Sequence, residues 1–160
     1  LKKENRNLKE NNMLKYAEKI GSEMLANDAF SQWLGIRIVN ITPGVCQLYM
    51  QVTPSMCNGF SFAHGGIAFS LCDSACSFAV NAHGRKAISA ETSISQFKAI
   101  EPGDVLNCFV KEESLGKKLG VYTAEVLNQD ERRIAIFKGT YYRSDKKWFE
   151  EEAEIPGRLV

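Results

Sequence analysis

From Gly65 to Ala82 the chain reads GGIAFSLCDSACSFAVNA, apolar or small at nearly every position. The run is too long for a buried strand, and the spacing predicts one helix. His83-Gly84 ends it, with Gly84 where a left-handed residue past a helix end belongs. A helix that is apolar nearly all round must be enclosed. Everything after it reads as strand and turn. One sheet has a single inner face to offer, so the sheet has to curl around the helix, and another subunit has to cover what remains.

The strands are legible in their alternation. KAISAETSISQF (86–97), VLNCFVKEESL (105–115), KLGVYTAEVLN (118–128) and RRIAIFKGTYYRS (132–144) are four strand segments. EPGD (101–104) is a bend and NQDE (128–131) a hairpin turn. Before the apolar helix, IRIVNI and VCQLYMQVT are strands around the turn TPG. In the second, Cys46, Leu48, Met50 and Val52 alternate with Gln47, Tyr49 and Gln51, one face buried and one wet. Earlier still, Leu14, Ala17, Ile20, Met24 and Leu25 recur at helical intervals, and Asn27 and Asp28 suit a break before a short turn of helix with Phe30, Trp33 and Leu34. Strands in runs with segregated helices predict an α+β domain, a curved antiparallel β-sheet wrapped around one long central helix.

The 160 residues are read as one domain. The polar stretch LKKENRNLKENN (1–12) is expected to be a disordered or appended extension, with Met13 as the expected native start, and 145–160 a charged tail left unassigned. Lys and Arg total 20 against 19 Asp and Glu, a balance that points away from nucleic acid and anionic membranes as partners. No apolar run is long enough to span a bilayer, and no signal peptide is visible. Five cysteines, an odd number without paired spacing, read as buried small hydrophobes in a reducing cytosol. With two histidines in all, no zinc site is expected.

Inside the apolar helix stands one carboxylate, Asp73, and no Lys or Arg lies between Gly59 and Gly84 to pair with it. Burying an acid is costly and raises its pKa. Two uses justify that: a hydrogen bond to a neighbour such as Ser70, Ser74 or Ser77, or service as a general base or nucleophile on a carbonyl compound. Gly65 and Gly66 open the helix, where the first N–H groups have no intrahelical partner and no Cβ blocks a ligand. They form either a tight turn into the helix or a site for a carbonyl oxygen that turns anionic. Asp73 lies seven residues past Gly66, about 10 Å along a helix. A base must act within about 3 Å. Asp73 therefore cannot serve a carbonyl held at its own helix start, and the expectation is an active site shared by two antiparallel helices across a two-fold axis.

Asn58-Gly59, then His64-Gly65-Gly66, then Asp73, with NAHG after the helix and GKKLGVYTAEVLNQDERRIAIFKGTYYR near the end, resembles the hotdog-fold thioesterases of the phenylacetate-degradation (PaaI) type. The resemblance spans roughly residues 30 to 144. It implies a hotdog fold, hydrolysis of acyl-CoA thioesters without metal or other cofactor, and dimers that pair into tetramers; coenzyme A is part of the substrate. It also implies that Asn58 orients the water or Asp73, although Asn-Gly is equally a turn pair. His64 is given a positioning role. Ser89 and Thr92 on the following strand are candidates to bond the base or the water. Lys117, Lys118 and Lys138 are candidates for the CoA phosphates, against the plainer reading of solvated surface lysines. Phe60, Phe62 and Phe69 line either an acyl pocket or the core.

Two rivals remain. A hotdog hydratase or dehydratase would favour a different His–carboxylate arrangement. A non-catalytic acyl-CoA-binding module would not need Asp73.

Overall fold

The structure, a computed structural model, describes residues 2–149, with side chains from residue 11 onward. Helix α1 spans Lys2–Ala26 and α2 Ala29–Trp33. Strands β1 (Arg37–Thr42) and β2 (Val45–Gln51) precede α3 (Gly65–Asn81), and β3 (Arg85–Gln96), β4 (Val105–Leu115), β5 (Leu119–Leu127) and β6 (Arg133–Lys147) follow it. The order of elements is the one the alternation predicts. Two boundaries differ. The backbone of residues 2–12, expected as an extension outside the domain, continues α1, and β6 runs on into the tail as far as Lys147. The tail from residue 150 lies outside the described residues.

The six strands form one antiparallel sheet in the order β1-β2-β4-β5-β6-β3. Helix α3 packs against all six strands. This is the hotdog architecture. The alternation on β2 is realised: Cys46, Leu48, Met50 and Val52 are buried against α3. On β6 the inward residues are Ala135, Phe137 and Tyr141. Four thiols, Cys46, Cys72, Cys76 and Cys108, are buried in this core and free of disulfides, and burial pushes the Cys46 thiol up to about 12.

The end of α3 is fixed by one buried amide. Asn81 Nδ2 donates to the carbonyls of Ser77 (2.9 Å) and Ala87 (3.0 Å). Its Oδ1 accepts from the Ala87 N–H (2.9 Å) and Trp148 Nε1 (2.7 Å). The chain then reverses at Gly84, whose φ of +93° is left-handed as expected. Strand β3 runs back beside α3, so that Gln96 Nε2 reaches the Gly65 carbonyl at 3.1 Å. Among the described residues no helix is long and apolar enough to cross a membrane.

Candidate active site

The approach to α3 is a short self-bonded loop. Cys57 and Ala63 form a bridge, Asn58 N–H donates to the Phe62 carbonyl (2.7 Å), and Asn58 Oδ1 accepts from the Phe60 N–H (2.8 Å). Asn58 is thus a turn residue by its oxygen. Its loop lies on the Gly66 side of its own chain, since His64 N–H donates to Met56 O at 2.8 Å. Phe60 at the loop tip is 82% exposed and packs into no core.

His64 is the N-cap of α3. Its Nδ1 accepts from the Gly66 N–H at 3.0 Å, and its carbonyl accepts from the Ile67 N–H at 2.8 Å. The ring is therefore a cap on the very N–H group that the sequence marks for a carbonyl oxygen. The glycine is needed for this closeness: a Cβ on Gly66 would lie 3.1 Å from Nδ1.

Asp73 sits at the middle of the same helix, half-buried. It does not bond Ser70, Ser74 or Ser77. Its Oδ1 accepts from the hydroxyl of Tyr141 at 2.9 Å, so the carboxylate that looked unpaired in the sequence has a partner on β6. Burial pushes its pKa up, and the Tyr141 hydroxyl pulls the other way. Tyr141 was missed because nothing local marks it. The signal was period two on β6, which puts Phe137, Gly139 and Tyr141 on the inner face. Asp73 opens onto a cleft of about 210 Å³, lined also by Met24, Phe30, Phe69 and Phe78. Its polar wall is a chain of groups: Ser74 Oγ lies 3.1 Å from Ser31 Oγ, which donates to Asp28 Oδ2 at 2.5 Å. Phe69 therefore lines the cleft, whereas Phe60 and Phe62 do not.

The register brings two further predicted residues to this face. Ser89 lies opposite Tyr141 and Thr92 opposite Gly139, and directly opposed residues point to the same side of a sheet. The lysines are elsewhere. Lys118 Nζ is paired with Asp145 Oδ2 at 2.7 Å. Arg85 joins that group, bonding Asp145 Oδ1 at 2.8 Å and the Lys117 carbonyl at 2.9 Å. Arg85 stands just past the end of α3, about 22 Å along the helix from Gly66. Lys138 is exposed on the outer face of β6. One chain does not bring its lysines together with its own Gly66. Among the described residues no group of three or more His, Cys, Asp or Glu side chains could hold a metal ion.

A curled sheet on one apolar helix, with an acid in mid-helix and a glycine-opened helix start, defines a hotdog-fold enzyme. Comparison with known proteins agrees. The family model described as the thioesterase superfamily matches residues 60–135. The acyl-coenzyme A thioesterase PaaI of Escherichia coli K12 is 36% identical over 120 residues, covering 75% of this chain and 86% of that protein. The structure of E. coli PaaI superposes with a TM-score of 0.82 at 32% identity, covering 84% of this chain and 98% of that one. A Streptococcus mutans UA159 protein solved bound to acetyl CoA superposes at 0.68 with 26% identity, over 70% of this chain and 90% of that one. A Streptococcus pneumoniae TIGR4 hypothetical thioesterase solved with coenzyme A also gives 0.68, with 25% identity over 70% and 88%. The chain belongs to the thioesterase superfamily, as a thioester hydrolase of the PaaI type.

Proposed function

We propose that the protein hydrolyses acyl-CoA thioesters to free acid and coenzyme A in a site built by two copies of the chain. The observation that carries this is Asp73: a half-buried carboxylate facing a cleft, with one oxygen held and, among the described residues, no cation bonded to it. It acts as general base on water or as nucleophile on the carbonyl carbon. As base, it takes a proton from the attacking water and passes it to the departing thiolate; as nucleophile, it forms a mixed anhydride as the thiolate leaves, and water then opens that anhydride, its protons going to the thiolate and the acid. In either course the C–S bond breaks and one water is consumed. The Gly66 N–H stabilises the oxyanion once the His64 ring swings off it, and Asn58, with its amide nitrogen unused by the turn, faces the same carbonyl. Ser89 and Thr92 bond the water or the base. The reading uses no metal and no resident cofactor, because coenzyme A belongs to the substrate. The relatives solved with acetyl CoA and with coenzyme A support that substrate class.

The roughly 10 Å between Gly66 and Asp73 on one helix supports sharing. So does β3, a 12-residue strand at the sheet edge with no described strand on its outer side and with Ile88 70% exposed. An edge of that length invites a second strand. Two-fold pairing along β3 sets two α3 helices side by side and antiparallel, with each Asp73 toward the partner's helix start. It also carries the Lys117–Lys118 turn toward the partner's site, where the CoA phosphates would be. Phe109 and Ile136, exposed on the convex face, support a second contact that makes a tetramer. The free cysteines fit a reducing cytosol.

Subunit mixing tests the shared site. Asp73→Asn and Gly66→Ala are each expected to be inactive. Unfolded and refolded together, half of the dimers are hybrids with one doubly damaged and one intact site. Activity should return to about a quarter of wild type. Confirmed hybrids with no recovered activity would rule the shared site out.

A further inference from the structure

The carboxylate of Asp73 has a fixed orientation, and the group that fixes it comes from the far side of the core. Tyr141 is fully buried, at 0% exposure. Its hydroxyl donates to Asp73 Oδ1 at 2.9 Å and lies 3.4 Å from the Asp73 carbonyl oxygen. No described residue bonds Oδ2. The phenol ring has little freedom. It stands edge-on to Tyr122, with centroids 5.8 Å apart and planes at 83°. Tyr122 is itself anchored, donating to Glu112 Oε2 at 2.6 Å, and that oxygen also meets His83 Nε2 at 2.6 Å. On β6 the ring lies over Gly139. A Cβ there would meet Tyr141 Cε2 at 2.6 Å and Phe137 Cε1 at 3.0 Å, so the slot exists only because residue 139 is glycine.

We propose that Tyr141 is the positioning residue of the catalytic carboxylate: its hydroxyl holds Oδ1 and so aims Oδ2 at the substrate side of the cleft. This rests on the reading of Asp73 given above. A carboxylate on two rotatable bonds sweeps a wide arc, and a misplacement of about 1 Å can cost 100-fold in rate. One bond from a rigid donor removes that arc. The same bond favours the ionised form, against the burial that disfavours it. The donor itself is dependable, because burial foremost, and then the neighbouring Cys76 and Asp73, push the tyrosine's own ionisation far above its ordinary range. The titratable groups around the carboxylate are Tyr141 on β6, Cys76 on α3 and Asp28 across the cleft at the start of α2.

A buried phenol needs an acceptor wherever it lies, so lost stability alone would not separate positioning from packing. The pH profile of kcat/KM does. Tyr141→Phe keeps the ring and removes the donor. The acid limb of the profile should move to higher pH, and kcat should fall about tenfold, the scale of one hydrogen bond to a charged group. Protein in which tyrosine is replaced globally by 3-fluorotyrosine keeps every ring but has a more acidic hydroxyl, and its limb should move to lower pH. Asp73→Asn is run beside both. If Asp73→Asn is inactive while both limbs stay at the wild-type pH, Tyr141 is packing and this inference is overturned. If Asp73→Asn is itself active, the catalytic reading falls and the positioning role falls with it. Should Tyr141→Phe fail to fold, the fluorinated protein decides: a limb displaced to lower pH supports positioning, an unmoved limb overturns it.

Discussion

Gly66→Ala should separate stability from activity. The residue is the second of α3, and its φ is not left-handed, so alanine fits the backbone. The new methyl would stand 3.1 Å from His64 Nδ1 and 3.6 Å from Cε1. His64 is exposed at the helix entrance, so its ring can give way. Losing that cap costs about 1 kcal/mol. Replacing a helical glycine by alanine returns up to about 1 kcal/mol. The two nearly cancel, and Tm should stay within about 3 °C of wild type. Activity has no such compensation. In the proposed site the methyl would block the approach of the thioester oxygen to the Gly66 N–H, and loss of one oxyanion donor costs about 10²–10³ in turnover. The assay is thiol release from an acyl-CoA panel, beside thermal melting of the same preparation. A variant that melts normally and turns over at the wild-type rate would refute the role given to the helix start. A collapsed Tm would refute the claim that His64 yields cheaply.

Asp73→Asn should melt higher than wild type at neutral pH. Burial raises the folded-state pKa of Asp73, so its ionised form weakens the fold as pH rises through that pKa, and the penalty is gone below the unfolded value of about 3.9. The gain should therefore shrink as the solution is acidified, and an unchanged or lower Tm at pH 7 would contradict it. Lys118→Ala removes an exposed ion pair with Asp145 and the ammonium's contact with the Tyr142 ring, so Tm should stay at the wild-type value. Its KM should rise for acyl-CoA but not for an N-acetylcysteamine thioester, which has no phosphates; equal KM changes for both would take the lysine out of CoA binding. Asn81→Ala leaves the part-buried Ala87 and Trp148 donors without their acceptor and should cost about 2 kcal/mol by chemical denaturation, with no cost refuting its part in closing α3.

The fold was legible because its signals are periodic. An apolar helix that needed enclosure and strands that alternate strictly leave few arrangements. Gly84 and Asp28 carry local signatures as well, a left-handed turn and an N-cap accepting from Phe30 and Ser31. The candidate site was legible only where its parts are close in sequence. Asp73, Gly66 and His64 lie within ten residues. Tyr141 is 68 residues from Asp73, and only the β3–β6 and β5–β6 registers carry it onto the inner face. The cap of His64 on Gly66 was equally hidden, since a histidine before two glycines says nothing of which way its ring turns. The charge on Lys118 was visible, but its pairing with Asp145 depends on how the end of β6 passes the β4–β5 turn.

The most direct test of the account is turnover of Asp73→Asn on the best acyl-CoA of the panel, with CoA binding measured on the same protein. Asparagine keeps the shape and can still accept from Tyr141, but it cannot take a proton from water or attack a carbonyl. With Asp73 as base or nucleophile, binding should survive and turnover should fall at least about 100-fold, the lower range for loss of a general base. Turnover near the wild-type rate would contradict it.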